Sequence, residues 1–152
     1  AESASYQAGA QLAIADLQVA KLGLSVCYDV RFPALYRQLA LAGAEIISVP
    51  SAFTRPTGAA HWHILLRARA IETGCFIIAP AQCGQHENGR ATYGHSLIVS
   101  AWGEVLADAG ADGLMAMADL DLAQCAKARQ QIATLQHGRV FKNPSGAQCC
   151  DD

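Results

Sequence analysis

One cysteine occupies a position where a thiol could act as a nucleophile. Cys27 ends the apolar run of residues 22–27 and precedes Pro33, whose fixed φ suits the start of a helix. Open α/β sheets place reactive groups at such carboxyl ends of strands. The positive end of a helix and the guanidinium of Arg31 would both favour the thiolate form. Because the spacing alone is more typical of an ordinary buried cysteine, the case depends on the surrounding residues.

The histidines and Cys83 have more ordinary interpretations. His61 and His63 lie two residues apart on a predicted helix, which points them to different faces and argues against a shared metal. Cys83, His86 and His95 could approach one another across a hairpin, but their spacing matches no zinc pattern. We therefore predict structural or surface roles for these residues and no metal site.

Glu72 has two interpretations that the sequence does not separate. It follows Arg67 and Arg69 on a predicted helix and could line an active site. Alternatively, it forms an ion pair with Arg69, which lies three residues earlier on the same helix face.

Strands and helices alternate around Cys27. Residues 22–27 and 45–49 are short apolar runs typical of buried strands, and residues 34–42 between them are helix formers. A longer helix is predicted over residues 59–73, and a further strand over residues 75–81. This order indicates parallel strands joined by helical crossovers.

Hairpin-like strands dominate the second half of the chain. Asn88-Gly89 is the strongest hairpin signal, and strands are predicted over residues 93–99, 104–107 and 114–120. Asp121 can cap a helix that follows them. The whole pattern predicts an α/β layered domain with a mixed sheet.

We place this domain over residues 1–142, with a flexible polar tail over residues 143–152. The predicted helices suffice to cover one face of the sheet. The other face is therefore expected to need more chain or a partner.

Composition excludes several classes of partner. The chain has 152 residues, of which 52% are hydrophobic and 16% charged, with a formal net charge of −2. No block of Lys or Arg indicates nucleic acid or an anionic membrane, and no apolar run is long enough to span a bilayer. Residues 1–6 do not resemble a signal peptide. Because Cys27, Cys75 and Cys125 sit in apolar runs rather than loops, we predict free thiols and a cytoplasmic location.

The residues around Cys27 resemble the nucleophile motif of the nitrilase superfamily, the carbon–nitrogen hydrolases. That motif is CYDVRFP at residues 27–33. Matching segments continue in order over about residues 2–141: PSAF at 50–53, TGAAHW at 57–62, LRARAIE at 66–72, AQCG at 81–84, YGHS at 93–96 and WGEV at 102–105. Within the superfamily, the chain looks most like the branch that contains deaminated glutathione amidase, followed by omega-amidase.

This resemblance implies a fold and a chemistry. The family fold is a four-layer α-β-β-α sandwich, usually paired into homodimers. Its chemistry uses a Cys nucleophile, a Glu general base and a Lys that supports the oxyanion, with no metal or other cofactor. The partner it implies is a small-molecule amide.

The resemblance also assigns catalytic roles to single residues. Cys27 would be the nucleophile, and the backbone N–H of Tyr28 would donate to the oxyanion. Glu2, in an Glu-Ser context, would hold and tune the catalytic pair.

Three further residues are assigned to the substrate. Arg31 would bind a substrate carboxylate through two parallel hydrogen bonds, and Phe53 and Glu72 would line the same site. The implied substrate is a small amide that carries a carboxylate, of the deaminated glutathione type.

One departure from the family pattern matters most. The general base and the oxyanion Lys belong to the amino-terminal half of the family domain, and this chain begins after them. Lys21, Lys127 and Lys142 do not sit in the family's lysine context. The resemblance therefore implies a carboxyl-terminal portion that is inactive by itself. The alternative is a non-catalytic module that keeps the family scaffold and acts through association.

Overall fold

The computed structural model describes residues 9–87 and 89–142. Within them the chain forms eight strands and three α-helices in the following order: β1 (Ala13–Asp16), β2 (Lys21–Leu24), α1 (Pro33–Leu41), β3 (Ile46–Ser48), α2 (Arg55–Thr73), β4 (Phe76–Ala79), β5 (Cys83–Gln85), β6 (Ala91–Tyr93), β7 (Leu97–Val99), β8 (Val105–Asp108) and α3 (Ala123–Gln131). A short 3-10 helix, Cys27–Arg31, connects β2 to α1.

Six of the strands form one mixed sheet in the order β1-β2-β3-β4-β7-β8. The three strands β2, β3 and β4 run parallel, and the other neighbours pair antiparallel. Strands β5 and β6 form a separate antiparallel pair, and Asn88 of the predicted turn between them lies outside the described residues. The predicted α/β class with a mixed sheet is therefore confirmed.

Helices α1 and α2 pack on one face of the sheet. Ile47, Ile77 and Val99 point to this face from adjacent strands, and they share a buried cluster with Leu39 of α1 and Leu66 of α2. All five side chains are fully buried. Burial of each such side chain contributes about 1.5–3 kcal/mol, so this layer is the main source of stability.

The opposite face of the sheet is only partly covered. Ile46 and Phe76 point to it and pack with Cys125 and Ala128 of α3. Leu24, further along the same face, stays 44% exposed. The described residues thus form one sheet with helices on both sides, and the four-layer sandwich remains a prediction for a larger assembly.

Two predicted strands differ from the structure. Residues 114–120 form no strand, and the side chains of Leu114, Met115 and Met117 are exposed. That prediction was wrong because apolar composition does not by itself supply a neighbouring strand to pair with. The strand predicted over residues 93–99 is divided between β6 and β7, because Gly94 and His95 have positive φ values of 74° and 57°.

Helix α2 begins at Arg55, four residues earlier than predicted. Pro56 lies in its first turn, where a fixed φ is favourable and the missing N–H costs nothing. The helix ends at Gly74, as predicted, with φ at 60° in the left-handed region. In the part of the chain described, neither α2 nor any other helix combines the length and the apolar character that crossing a bilayer requires.

Candidate active site

The backbone turn at Cys27 is strained and firmly held. Strand β2 ends at Leu24, and Cys27 follows at the start of the 3-10 helix with φ at 46°. A residue with a side chain in this region costs of order 1 kcal/mol and needs support from its surroundings. The Cys27 N–H donates to the Pro50 carbonyl at 2.8 Å, and the Val26 N–H donates to the Asp29 carboxylate at 2.9 Å. These bonds fix a sharp turn that leaves the Cys27 side chain only half-buried.

Cys27 faces a cavity of about 600 Å³. This cavity lies where the connections that leave the carboxyl ends of β2, β3 and β4 meet. Its volume suits a small molecule, and its place agrees with the general position of ligands in open α/β sheets. Its lining residues are Val26, Cys27, Pro50, Ser51, Ala52, Pro80, Ala81, Gln82, Arg90 and Ser96.

Ser51 is the side chain in direct contact with the thiol. Its hydroxyl donates to Cys27 Sγ at 3.3 Å. Its backbone is fixed from both sides, because its N–H donates to Pro80 and its carbonyl accepts from Gln82, both at 2.9 Å. A hydroxyl donor held in this way stabilises negative charge on sulfur.

The contact of Ser51 with Cys27 was not predicted from the sequence, although the positions of the two residues after their strands indicate it. Ser51 lies three residues beyond the end of β3, as Cys27 lies three residues beyond the end of β2. Leu24 and Ser48 are paired in register, so equivalent positions after these strands meet.

Tyr28 occupies the second position of the 3-10 helix. A backbone N–H at this position has no acceptor within the helix, so it is available to a ligand beside Cys27. The Tyr28 ring is 64% exposed. The oxyanion role of the N–H stays a prediction that this geometry permits.

Arg31 and Phe53 lie together, but neither is among the residues that line the cavity. The Arg31 guanidinium carbon is 5.2 Å from the Phe53 ring centroid and 5.6 Å from that of Tyr28. Both terminal nitrogens of Arg31 lie 3.4 Å from His61 Nδ1. Because a guanidinium only donates, His61 Nδ1 is the acceptor in this contact.

A different arginine, Arg90, is among the described residues that line the cavity, and it donates to the Ala52 carbonyl at 2.7 Å.

The two glutamates selected from the sequence do not join Cys27 in the described residues. Glu72 accepts from Arg69 Nη1 at 2.9 Å, and it lines a separate cavity of about 240 Å³ beside Arg37. This geometry favours the ion-pair interpretation of Glu72. Glu2 lies outside the described residues.

The buried cysteines differ chemically from Cys27. Cys75 and Cys125 are free thiols within the two core clusters. Burial raises the pKa of Cys75, and it raises the pKa of Cys125 to about 11. Neither thiol faces the cavity that Cys27 lines.

The structure also groups three residues that the sequence analysis did not connect. His63, His95 and Asp108 come together beside Tyr93, with both imidazoles hydrogen-bonded to the Asp108 carboxylate. Burial opposes the charge on Asp108, but hydrogen bonds from Gly110, His95 and His63 outweigh it and hold the pKa of Asp108 below its usual value. Cys83 and His86 do not belong to this group, since His86 contacts Thr92 instead.

These features define an α/β protein with a cysteine on a strained turn that faces a ligand-sized cavity. The family of carbon–nitrogen hydrolases matches residues 1–130, and the chain belongs to this family. The family predicted from the motif around Cys27 is therefore confirmed.

Named relatives agree with the predicted branch. The chain is 49% identical over 143 residues to a deaminated glutathione amidase of Yersinia enterocolitica, which covers 93% of this chain and 50% of that protein. It is 53% identical over 120 residues to the deaminated glutathione amidase of Synechocystis, covering 79% of this chain and 44% of that one. The chain thus spans about half the length of these curated relatives.

A solved structure shares the fold. The NitFhit protein of C. elegans superposes with a TM-score of 0.83 at 44% identity, over 88% of this chain and 32% of that one. A variant of the amidase from Nesterenkonia sp. AN1, whose structure has an acetamide moiety added covalently at the active-site cysteine, gives a TM-score of 0.75 at 32% identity, over 91% and 49% of the two chains.

Proposed function

We propose that this chain supplies the nucleophile of an amidase that hydrolyses small amides bearing a carboxylate. The observation that carries the proposal is the placement of Cys27. Its thiol faces a cavity of about 600 Å³ and accepts a hydrogen bond from Ser51 at 3.3 Å. The shared family and the relatives called deaminated glutathione amidase support the choice of reaction and of substrate class.

The reaction begins when the Cys27 thiolate attacks the carbonyl carbon of the amide. A bond forms between sulfur and carbon, and the carbonyl oxygen takes up negative charge, to which the Tyr28 N–H is proposed to donate a hydrogen bond. The carbon–nitrogen bond then breaks, and the nitrogen gains a proton and leaves as ammonia or, from a substituted amide, as an amine. Water hydrolyses the remaining thioester, which releases a carboxylate and restores the thiol. The covalent adduct on the cysteine of the Nesterenkonia amidase supports a nucleophilic cysteine in this fold.

Further groups are needed to move the protons. Among the described residues that line the cavity, none is a Glu or a Lys. We infer that a general base and an oxyanion Lys join Cys27 from chain beyond these residues, and that Glu2 belongs to the same group. Without a base, the thiol has no group to take its proton and the thioester lacks an activated water. The chain alone is therefore expected to be inactive.

A cation on the same turn as Cys27 supports the substrate class. Arg31 ends the 3-10 helix that begins with Cys27, and its guanidinium carbon lies 5.2 Å from the Phe53 ring centroid. A planar guanidinium matches a carboxylate through two parallel hydrogen bonds. Arg31 is thus proposed to select an amide that also carries a carboxylate.

We further propose that the complete protein is a cytoplasmic homodimer. The exposed apolar side chains Ile64 and Ile71 on α2 support an association surface on the helical layer. Size-exclusion chromatography with light scattering tests this proposal, and a monomer at micromolar concentration would contradict it.

The experiment that tests the activity joins this chain to the portion of the Yersinia enterocolitica relative that it does not match. Release of the shared acyl product, alpha-ketoglutarate, is then measured from deaminated glutathione and from alpha-ketoglutaramate. We expect release from both, with deaminated glutathione faster. Cys27→Ser should lower kcat by roughly a thousandfold or more, and Ser51→Ala by roughly tenfold.

Cys83→Ser is the matched control, because Cys83 is also partly exposed but does not line the cavity. It should leave alpha-ketoglutarate release unchanged. Equal loss in both cysteine variants, or full activity in Cys27→Ser, would reject Cys27 as the nucleophile.

A further inference from the structure

Three separate elements bring His63, His95 and Asp108 together. His63 projects from α2, His95 precedes β7, and Asp108 ends β8. His63 Nε2 lies 3.1 Å from Asp108 Oδ2, and His95 Nδ1 lies 3.0 Å from both oxygens of the same carboxylate. All the potential ligand atoms lie within 4.8 Å of one another.

We propose that His63, His95 and Asp108 form a site for a divalent transition-metal ion, with Zn²⁺ as the best match. A tetrahedral zinc with bonds of about 2.0–2.1 Å sets its ligand atoms about 3.4 Å apart. The distances from the two histidine nitrogens to the Asp108 carboxylate, 3.1 Å and 3.0 Å, are close to this value. Two imidazole nitrogens and one carboxylate oxygen are ligands that zinc accepts, and water would take the fourth position. The Asp108 carboxylate also gives the site a negative charge that suits a dication.

His95 is held in the geometry that such a site needs. Its φ of 57° is in the left-handed region, and Gly94 before it has a φ of 74°. A Cβ on Gly94 would lie 2.3 Å from the Ala111 carbonyl oxygen, so the turn depends on glycine there. The His95 N–H donates to the Gly110 carbonyl at 2.8 Å, and its carbonyl accepts from Trp62 Nε1 at 2.8 Å.

Aromatic packing orients both imidazoles. The Tyr93 ring stacks on His95 with a centroid distance of 4.4 Å and an interplanar angle of 24°. His63 meets His95 edge-on at 5.1 Å. Neighbours that fix the ring orientation of a ligand raise metal affinity, because less rotational freedom is lost on binding.

The site is accessible to solvent and separate from the catalytic proposal. The side chains of His63, His95 and Asp108 are 32%, 22% and 31% exposed. None of the three lines the cavity at Cys27, although His95 adjoins Ser96, which does. A bound ion would join α2 to the two antiparallel strands at this edge of the sheet, so its expected effect is on stability.

The test measures binding of Zn²⁺ to the full chain. Accessible thiols are first blocked with iodoacetamide so that cysteines do not compete for the metal. Titration calorimetry should then give one Zn²⁺ per chain, and the ion should raise Tm. His63→Phe, which keeps an aromatic ring beside Tyr93, and Asp108→Asn should each weaken binding by about 10–100-fold and remove most of the rise in Tm.

His86→Ala is the matched control, because His86 is another partly exposed histidine that contacts Thr92 and lies outside the cluster. It should bind Zn²⁺ as tightly as the parent chain. Equal binding by the parent chain, His63→Phe and Asp108→Asn would overturn the proposal, and so would the absence of binding in the parent.

A second measurement does not depend on how the variants fold. Co²⁺ bound to the parent chain should give the intense visible absorption of a tetrahedral site with nitrogen and oxygen ligands. A thiolate-to-metal charge-transfer band, or the weak spectrum of a six-coordinate ion, would overturn the assignment.

Discussion

Each end of the parallel strands carries a cysteine and an arginine, with opposite results. At the carboxyl ends of the parallel strands, Cys27 begins the helical turn that carries Arg31 and faces a cavity. At the amino ends, Cys75 lies just before β4, with Arg129 Nη2 3.1 Å from its sulfur. Cys75 is completely buried, and burial raises the pKa of its thiol even though Arg129 lowers it. A nearby cation is therefore not enough to make a nucleophile, and access from the cavity is what separates the two sites.

The two ends also differ in how their backbones are held. Arg129 donates to the Ala44 carbonyl at 2.7 Å and to the Thr73 carbonyl at 3.0 Å, two acceptors that otherwise receive, among the described residues, only the weak S–H donor of Cys75. The turn at Cys27 instead keeps an unfavourable φ. The amino end contributes stability, whereas the carboxyl end carries strain where chemistry is proposed.

The two ends of the sheet should differ most in the rate at which their cysteine thiols are alkylated. A brief exposure to iodoacetamide should label Cys27 at least about a hundredfold faster than Cys75 or Cys125, because buried thiols react only after the structure opens. Peptide mapping by mass spectrometry measures the three rates. The control is the chain unfolded in urea, in which all three cysteines should be labelled at similar rates. Similar rates in the folded chain would contradict the prediction that access to the thiol distinguishes Cys27 from the buried cysteines.

The second expected difference is in the loss of stability when the arginine at each end is replaced by alanine. Arg129→Ala should lower the free energy of unfolding by about 2–4 kcal/mol, since two buried carbonyls lose a charged donor. Arg31→Ala should cost less than about 1 kcal/mol, because its guanidinium contacts are partly exposed. Urea denaturation of both variants measures these free energies of unfolding. A larger loss in Arg31→Ala than in Arg129→Ala would contradict the prediction that the amino end contributes more stability.

Alkaline pH should reduce the stability that the buried thiols at the amino end contribute. Unfolded thiols lose their protons near pH 9, whereas the pKa of Cys125 is raised to about 11 in the fold and that of Cys75 is raised as well. The stabilisation by neutral buried thiols is therefore complete below about pH 9 and is lost as the pH rises towards about 11. The expected loss is about 1–3 kcal/mol, measured by urea denaturation across this range.

Cys125→Ala should flatten that dependence, and Cys27→Ala should leave it unchanged. Burial also raises the pKa of Tyr36, to about 12, so some alkaline dependence persists in every variant. An identical pH dependence in the parent chain and in Cys125→Ala would show that buried thiols do not contribute.

The smallest effect tests backbone strain. At position 27, Gly should be more stable than Ala by about 0.5–1 kcal/mol, since the left-handed region is unfavourable for a residue with a Cβ. At position 75, where φ is not in that region, Ala should be more stable than Gly by a similar amount. Thermal denaturation of the four variants measures both differences, and the same preference at both positions would mean that the turn at Cys27 is not strained.

Features encoded by neighbouring residues were predictable from the sequence. Pro33 and Gly74 mark helix ends because each restricts or permits the backbone at its own position. The motif around Cys27 placed the thiol near the ends of the parallel strands because the end of an apolar run, a turn and a helix start are consecutive there.

Features that depend on distant segments were not predictable. The contact of Ser51 with Cys27 requires the register between β2 and β3, and the approach of Asp108 to His63 requires the antiparallel return of β8. The strand predicted over residues 114–120 failed for the same reason, because its apolar pattern specified no neighbour to pair with.

The cavity at Cys27 takes its walls from several chain connections rather than one. Pro50 to Ala52 follow β3, Pro80 to Gln82 follow β4, and Arg90 lies in the hairpin. The first two segments also support the thiol, because the Pro50 carbonyl accepts from the Cys27 N–H and Ser51 is held by Pro80 and Gln82. The described part of the hairpin that carries Arg90 makes no such bond to the turn, so its sequence and length can change while the turn stays as it is. The shape of the cavity can therefore diverge between relatives through this one wall, with the position of the thiol preserved.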